Sequence, residues 1–136
     1  MKILAKNKDL YGMIQFLNDM SVKGKASLGR TKLKDKLIKK QKEYGEDESA
    51  VAEEFGTFSD DQQTHIKWND GQAKEGQDAL QELGEKEVEV NLLDYAKWAT
   101  PLKEKILNFD EEISGFKADG WAILIENLEE DKEEEK

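Results

Sequence analysis

The chain has 136 residues, no cysteine and a net charge of -10. Its length suits one domain with one hydrophobic core, and the lack of thiols excludes disulfides, thiolate metal sites and a thiol nucleophile. No segment approaches the ~18 consecutive apolar residues of a membrane-spanning helix, so we expect a cytoplasmic protein without membrane contact.

The charge is distributed unevenly along the chain. Residues 1–42 hold 12 Lys or Arg against 3 Asp or Glu, whereas residues 43–136 hold 9 against 28. Such a split predicts either ion pairing between the two parts or two surfaces with different partners. We expect a single helical domain over residues 1–128, basic in 1–42 and acidic beyond it, followed by a frayed acidic tail over 129–136.

The first third of the chain is predicted to form a strand and two helices. Residues 1–5 alternate weakly between polar and apolar, which favours a short edge strand. Asn7 is a candidate N-cap for a helix through about residue 20, whose apolar residues recur at helical spacing. A lysine-rich helix is expected over about 27–44, and Gly45 is expected to end or kink it.

The middle of the chain is rich in turn-forming residues. A short helix is expected over 47–55, and a loop over 56–71 contains an extended piece at 65–68. A further helix is expected over 72–83. These boundaries rest on the glycines and on the Asn-Asp-Gly triplet at the end of the loop, because such residues favour turns.

The clearest strand pattern is EVEVN at residues 87–91. Strict alternation predicts a half-buried strand, which pairs either with residues 1–5 or with residues 64–68. We therefore expect a mainly α, compact domain of four to six helices that also contains a small two- or three-stranded sheet.

The C-terminal part is predicted to hold two or three helices. Asn91 can cap a helix that starts at residue 92. Thr100 and Pro101 have the order of an N-cap and a first helical residue, so a new helix is expected there, ending near residue 109. The last helix is expected over 116–128.

Three patterns suggest a binding or catalytic site, but each lacks a residue that such a site needs. Residues 24–31 (GKASLGRT) approach a phosphate-binding loop, but Arg30 stands where that loop has lysine. Residues 110–115 resemble the start of a calcium loop, but Trp121 stands at the chelating Glu position. His65 is the only histidine and no partner for it is evident from spacing. We expect no catalytic residue, cofactor or metal.

Two parts of the chain resemble a family of small, acidic proteins encoded by tailed phages and prophages of Gram-positive bacteria. The resemblance is carried by the following segments: residues 16–27 and 30–33, then 88–90, 101–103, 106–108, 113–115, 118 and 128–129. Residues 45–75 match poorly, and Trp121 stands where the family often has tyrosine. The resemblance implies a phage or prophage product in a bacterial cytoplasm. It assigns no role to any residue.

We carry three functional hypotheses. The first is a non-enzymatic accessory protein that binds a host or phage protein of unknown identity, with homo-oligomers as a further option. Its expected contacts are the basic helix and two aromatics: Arg30, Lys32, Lys36, Lys39, Lys40, Phe58 and Trp98.

The second hypothesis is a nucleic-acid binder that uses the basic helix around residues 30–42. Aromatic residues that would stack on bases are missing from the sequence between Phe16 and Tyr44. The third is a small enzyme or ligand-binding protein. It requires a closed pocket with His65 or a carboxylate of perturbed pKa.

Overall fold

A computed structural model describes residues 1–59 and 65–134. The predicted mainly α fold is confirmed: the structure is 71% helical, with five α-helices and two small antiparallel sheets in the described residues. The elements in chain order are β1 (Lys2–Lys6), α1 (Leu10–Asp19), α2 (Gly24–Phe55), β2 (Gly56–Phe58), β3 (Ile66–Trp68), α3 (Ala73–Glu85), β4 (Glu87–Asn91), α4 (Ala96–Leu107) and α5 (Gly115–Glu134).

The strand pairing follows the alternation of the sequence. β1 pairs antiparallel with β4, and Ile3 lies opposite Val90. Both side chains are buried, because alternate residues of a strand point to the same face. The predicted loop over 56–71 instead contains a second pair, β2 with β3, so the three-stranded alternative is wrong. Residues 60–64 of that loop lie outside the described residues.

Asn7 has a different role from the predicted helix cap. It begins a short 3-10 turn, Asn7–Asp9, and α1 starts only at Leu10. Its side-chain amide donates to the Leu83 carbonyl and its backbone N–H to the Lys86 carbonyl, both at 3.0 Å. Because Asn7 is buried, these bonds satisfy its polar groups and tie the end of β1 to the end of α3.

α2 is one continuous helix of 32 residues where two helices were predicted. The helix therefore does not end at Gly45, which was one of the two predicted effects of this residue. A glycine costs a helix only about 1 kcal/mol, and packing on both sides outweighs that cost. Leu37 before Gly45 and Ala52 after it are both buried, so the two flanking segments are held in line.

α4 likewise contradicts the predicted helix start at Thr100 and Pro101. Both residues lie inside the helix, which begins at Ala96 after a 3-10 turn. Proline removes the N–H that would bond to the carbonyl four residues earlier. Ala99 and Leu102, on either side of this defect, are buried, and α4 packs along α2. Burial therefore holds the helix together through the proline.

α1 and α5 cross with their backbones in direct contact. A Cβ atom added at Gly120 would overlap the backbone of Gly12 and Met13, so the crossing requires glycine on both helices. α5 continues to Glu134, past its predicted end at 128. Residues 135–136 of the predicted frayed tail lie outside the described residues.

Candidate interaction site

The basic helix α2 is brought against α4 at a glycine. Gly29 is buried, and a Cβ atom added there would overlap the carbonyl of Trp98. This close approach places the next turns of α2 beside the start of α4. The sequence showed Gly29 only as part of the GKASLGRT pattern, whereas the structure places it at a helix–helix contact.

Two lysines of α2 lie over the ring of Tyr95, which ends the 3-10 turn before α4. The rings of Tyr95 and Trp98 are stacked, with centroids 5.5 Å apart and planes inclined by 17°. The Lys32 Nζ is 5.0 Å and the Lys36 Nζ 5.5 Å from the centroid of the Tyr95 ring. These are cation–π distances. We call Lys32, Lys36, Tyr95 and Trp98 the α2–α4 surface.

Tyr95 was not predicted as a contact, because it is distant in sequence from the basic helix. Between Phe16 and Tyr44 no aromatic residue accompanies the lysines. The fold instead brings Tyr95 to these lysines, from the turn that precedes α4. Trp98 was among the predicted contacts, and the only signal for Tyr95 was its position three residues before Trp98, which puts both on one side of a helical turn.

The other predicted partner contacts lie outside the α2–α4 surface or are bonded to other residues of the chain. The Arg30 Nη1 donates to the Met20 carbonyl at 2.6 Å, so this guanidinium braces the α1–α2 connection. Lys40 forms an ion pair with Glu43 at 3.7 Å. Lys39 is exposed on α2. Phe58 is half-buried in β2 and belongs to a different part of the molecule.

The unequal charges of the two parts of the chain are partly paired, but away from the α2–α4 surface. Lys6 and Lys8 bond to opposite oxygens of Glu85 at 2.6 and 2.5 Å. The hydrogen bonds from Lys6 and then Lys8 lower the pKa of Glu85 to about 2. Lys2 pairs with Glu89 across the β1–β4 sheet at 3.0 Å. Because these side chains are about half exposed, each pair contributes little to stability.

The histidine and the metal-ligating residue types can be located in the described part of the chain. His65 is exposed just before β3. Within residues 1–59 and 65–134, no group of three or more His, Cys, Asp or Glu is arranged to hold a metal ion. In the same residues, no helix is long and apolar enough to cross a membrane.

Comparison with known proteins gives one match. The model of a family described as "Protein of unknown function (DUF1617)" matches residues 1–136. No curated protein and no solved structure matches the chain.

Proposed function

The chain belongs to the DUF1617 family, and we propose that it is a non-enzymatic, phage- or prophage-encoded accessory protein that binds an acidic protein in the bacterial cytoplasm. The observation that carries the proposal is the α2–α4 surface, in which Lys32 and Lys36 lie over the ring of Tyr95, which in turn stacks on Trp98.

The chemistry of this surface suits a partner that presents carboxylates beside apolar side chains. An ammonium group has three donors, and one that faces a ring keeps donors for a carboxylate. Among the described residues, Lys32 and Lys36 form no ion pair with an Asp or Glu. Aromatic residues that are partly covered and held by a stack are the usual anchors of protein interfaces.

Two exposed leucines extend the surface on either side. Leu28 lies one turn before Lys32 on α2 and is 48% exposed, and Leu93 lies two residues before Tyr95 and is 71% exposed. Apolar side chains next to cations and rings make a patch that is costly to leave in water. The combination favours a protein partner, because apolar contacts contribute little to recognition of a phosphate backbone.

The alternative is nucleic acid bound at the same surface, and the stacked Tyr95 and Trp98 are the observation that favours it. Base stacking and lysine contacts are the two components of single-strand binding. Tyr95 already makes one ring stack and two cation contacts, and the chain as a whole carries a charge of -10. Long-range repulsion therefore opposes a polyanion more than a small acidic patch.

Quantitative affinity capture from a Gram-positive bacterial lysate tests the proposal. Tagged wild-type protein is compared with the double variant Lys32→Glu/Lys36→Glu and with the control Lys67→Glu/Lys74→Glu. The control makes the same charge change at two exposed residues of β3 and α3. Capture is repeated after nuclease treatment and at two salt concentrations.

We expect one protein to be retained by the wild type and the control after nuclease treatment. Lys32→Glu/Lys36→Glu should capture about tenfold less of this protein, since like charges at an interface are strongly unfavourable. Capture that disappears with nuclease and falls steeply with salt would support the nucleic-acid alternative. Equal losses in both double variants would contradict any specific role for this surface.

A further inference from the structure

A groove with aromatic walls lies between α1 and the start of α5, on residues that the proposed function does not use. Its volume is about 410 Å³. Phe16 and Phe109 line its inner part and meet edge to face at 4.9 Å between ring centroids. Tyr11 and Phe116 line its outer part and also meet edge to face, at 5.4 Å.

The outer pair is unusually exposed for aromatic residues. Phe116 is 68% and Tyr11 48% exposed, although both belong to helices whose backbones are locked together at Gly12 and Gly120. Gly115 has φ +62° at the start of α5, a conformation that directs the chain into the helix immediately before Phe116. The two rings therefore lie beside a helix crossing in which the backbones are in direct contact.

The charges around this groove are mainly negative. Asp19, Glu111 and Glu112 line it together with one cation, Lys117. Lys117 is paired with Asp19. Glu111 and Glu112 form no ion pair with any of the described residues, so two carboxylates remain available beside the rings.

We propose that this groove binds an arginine-bearing segment of a partner protein, with the guanidinium against Tyr11 and Phe116 and its N–H groups donating to Glu111 and Glu112. A guanidinium is planar, stacks on aromatic rings and bonds to carboxylates through two parallel donors. The apolar inner part accepts a neighbouring apolar side chain of the same segment.

A second copy of this chain does not supply that group. Arg30 is the only arginine in the sequence, and its guanidinium is half-buried and bonded to the Met20 carbonyl. Two copies also repel each other, because each carries a net charge of -10. The occupant is therefore a different protein with exposed arginine.

Fluorescence anisotropy with labelled peptides tests this inference on the full chain. The probe is Gly-Ser-Arg-Leu-Arg-Gly-Ser, compared with the same peptide carrying Lys, and then Glu, in place of Arg. The protein variants are Phe116→Ala and Glu111→Gln/Glu112→Gln. The matched controls are Ile38→Ala, another exposed apolar residue, and Glu53→Gln/Glu54→Gln, an exposed acidic pair on α2.

We expect the arginine peptide to bind most tightly, and each groove variant to weaken it about fivefold, as cation–π and exposed charge contacts of this kind do. The controls should stay within about twofold. The inference is overturned if the three peptides bind alike, if the groove variants behave like their controls, or if sedimentation shows a dimer that Phe116→Ala dissociates.

Binding of the arginine peptide to the groove should not depend on the α2–α4 surface. Lys32→Glu/Lys36→Glu should bind the arginine peptide at least as well as the wild type, because the added negative charge is attractive at long range. Loss of peptide binding in that variant would place the peptide outside the groove and so contradict the inference.

Discussion

Two regions of the molecule are stabilised in different ways. The core region, residues 1–44 and 86–129, contains all twelve of the largest fully buried side chains. In the hairpin region, residues 45–59 and 65–85, the buried residues are Ala52 and three glycines, Gly56, Gly76 and Gly84. Large side chains hold the first region together, whereas close backbone approach and polar links hold the second against it.

The difference bears on function because both proposed binding sites lie in the core region. The α2–α4 surface and the aromatic groove each use rings that are positioned by a glycine contact between helices. Phe58, a predicted partner contact, lies in the hairpin region. Partner binding should therefore survive changes that loosen the hairpin region. It should fail with changes that separate the helices of the core region.

The largest loss of stability is expected from a substitution at the α1–α5 crossing. Gly120→Val places a branched side chain against the backbone of Gly12 and Met13, which cannot move without separating the helices. We expect the free energy of unfolding to fall by more than about 3 kcal/mol, measured by urea denaturation. Ala122→Val, at an exposed position of the same helix, should cost less than about 1 kcal/mol. Equal costs would show that the crossing is not tight.

A smaller and local effect is expected in the hairpin region. In Gly76→Ala the new methyl group would overlap the indole ring of Trp68, which is a side chain and has room to shift. We expect a loss of about 1–2 kcal/mol with a change in tryptophan emission. Hydrogen exchange should increase in α3 while α1 and α5 stay protected. Loss of protection in α5 as well would mean that the two regions unfold as one unit.

A substitution at Gly45, where α2 passes from one region to the other, is expected to raise the free energy of unfolding. A Cβ atom there would meet nothing within 4 Å, so Gly45→Ala should stabilise the protein by about 0.5–1 kcal/mol through helix propensity. The measurement is again urea denaturation. A destabilised variant would indicate that the helix bends at Gly45 in solution, as the sequence alone suggested.

The strand β4 and the residue Gly45 show which features of the fold could be predicted from the sequence. Alternation over residues 87–91 correctly predicted β4, because burial of one face imposes a period of two. It left two pairing partners open, of which the structure has β1. The helix boundaries at Gly45 and Pro101 were predicted wrongly, since local propensity is weaker than the burial that tertiary contacts provide.

The candidate sites were harder to predict than the strands. Lys32, Lys36 and Trp98 were predicted as partner contacts from the sequence, but Tyr95 and the Tyr11–Phe116 pair were not. Their importance comes from neighbours more than 50 residues away in the chain. The periodicity of a sequence does not reveal contacts between residues that are far apart in the chain. Without such a contact, an exposed phenylalanine in a helix cannot be told from any other apolar residue.

The smallest predicted effect concerns the ion pairs that join the two regions. Glu85 of α3 is bonded to Lys6 and Lys8 of the β1–α1 segment. These bonds lower its pKa from 4.5 to about 2. A carboxyl group with a lowered folded-state pKa adds stability above its unfolded pKa, and that stability is lost as the pH falls through the folded value.

Glu85→Gln should therefore melt slightly below the wild type at neutral pH, and the difference should vanish as the pH falls from about 4.5 towards 2. Thermal melts along this pH series measure it. Salt should reduce the difference, since all three side chains are largely exposed. Glu82→Gln, at an exposed carboxylate of the same helix, serves as the control. If it shows the same pH dependence, net charge rather than the Lys6–Glu85–Lys8 link is responsible, and the hairpin region is held to the core region by its buried contacts and by Asn7.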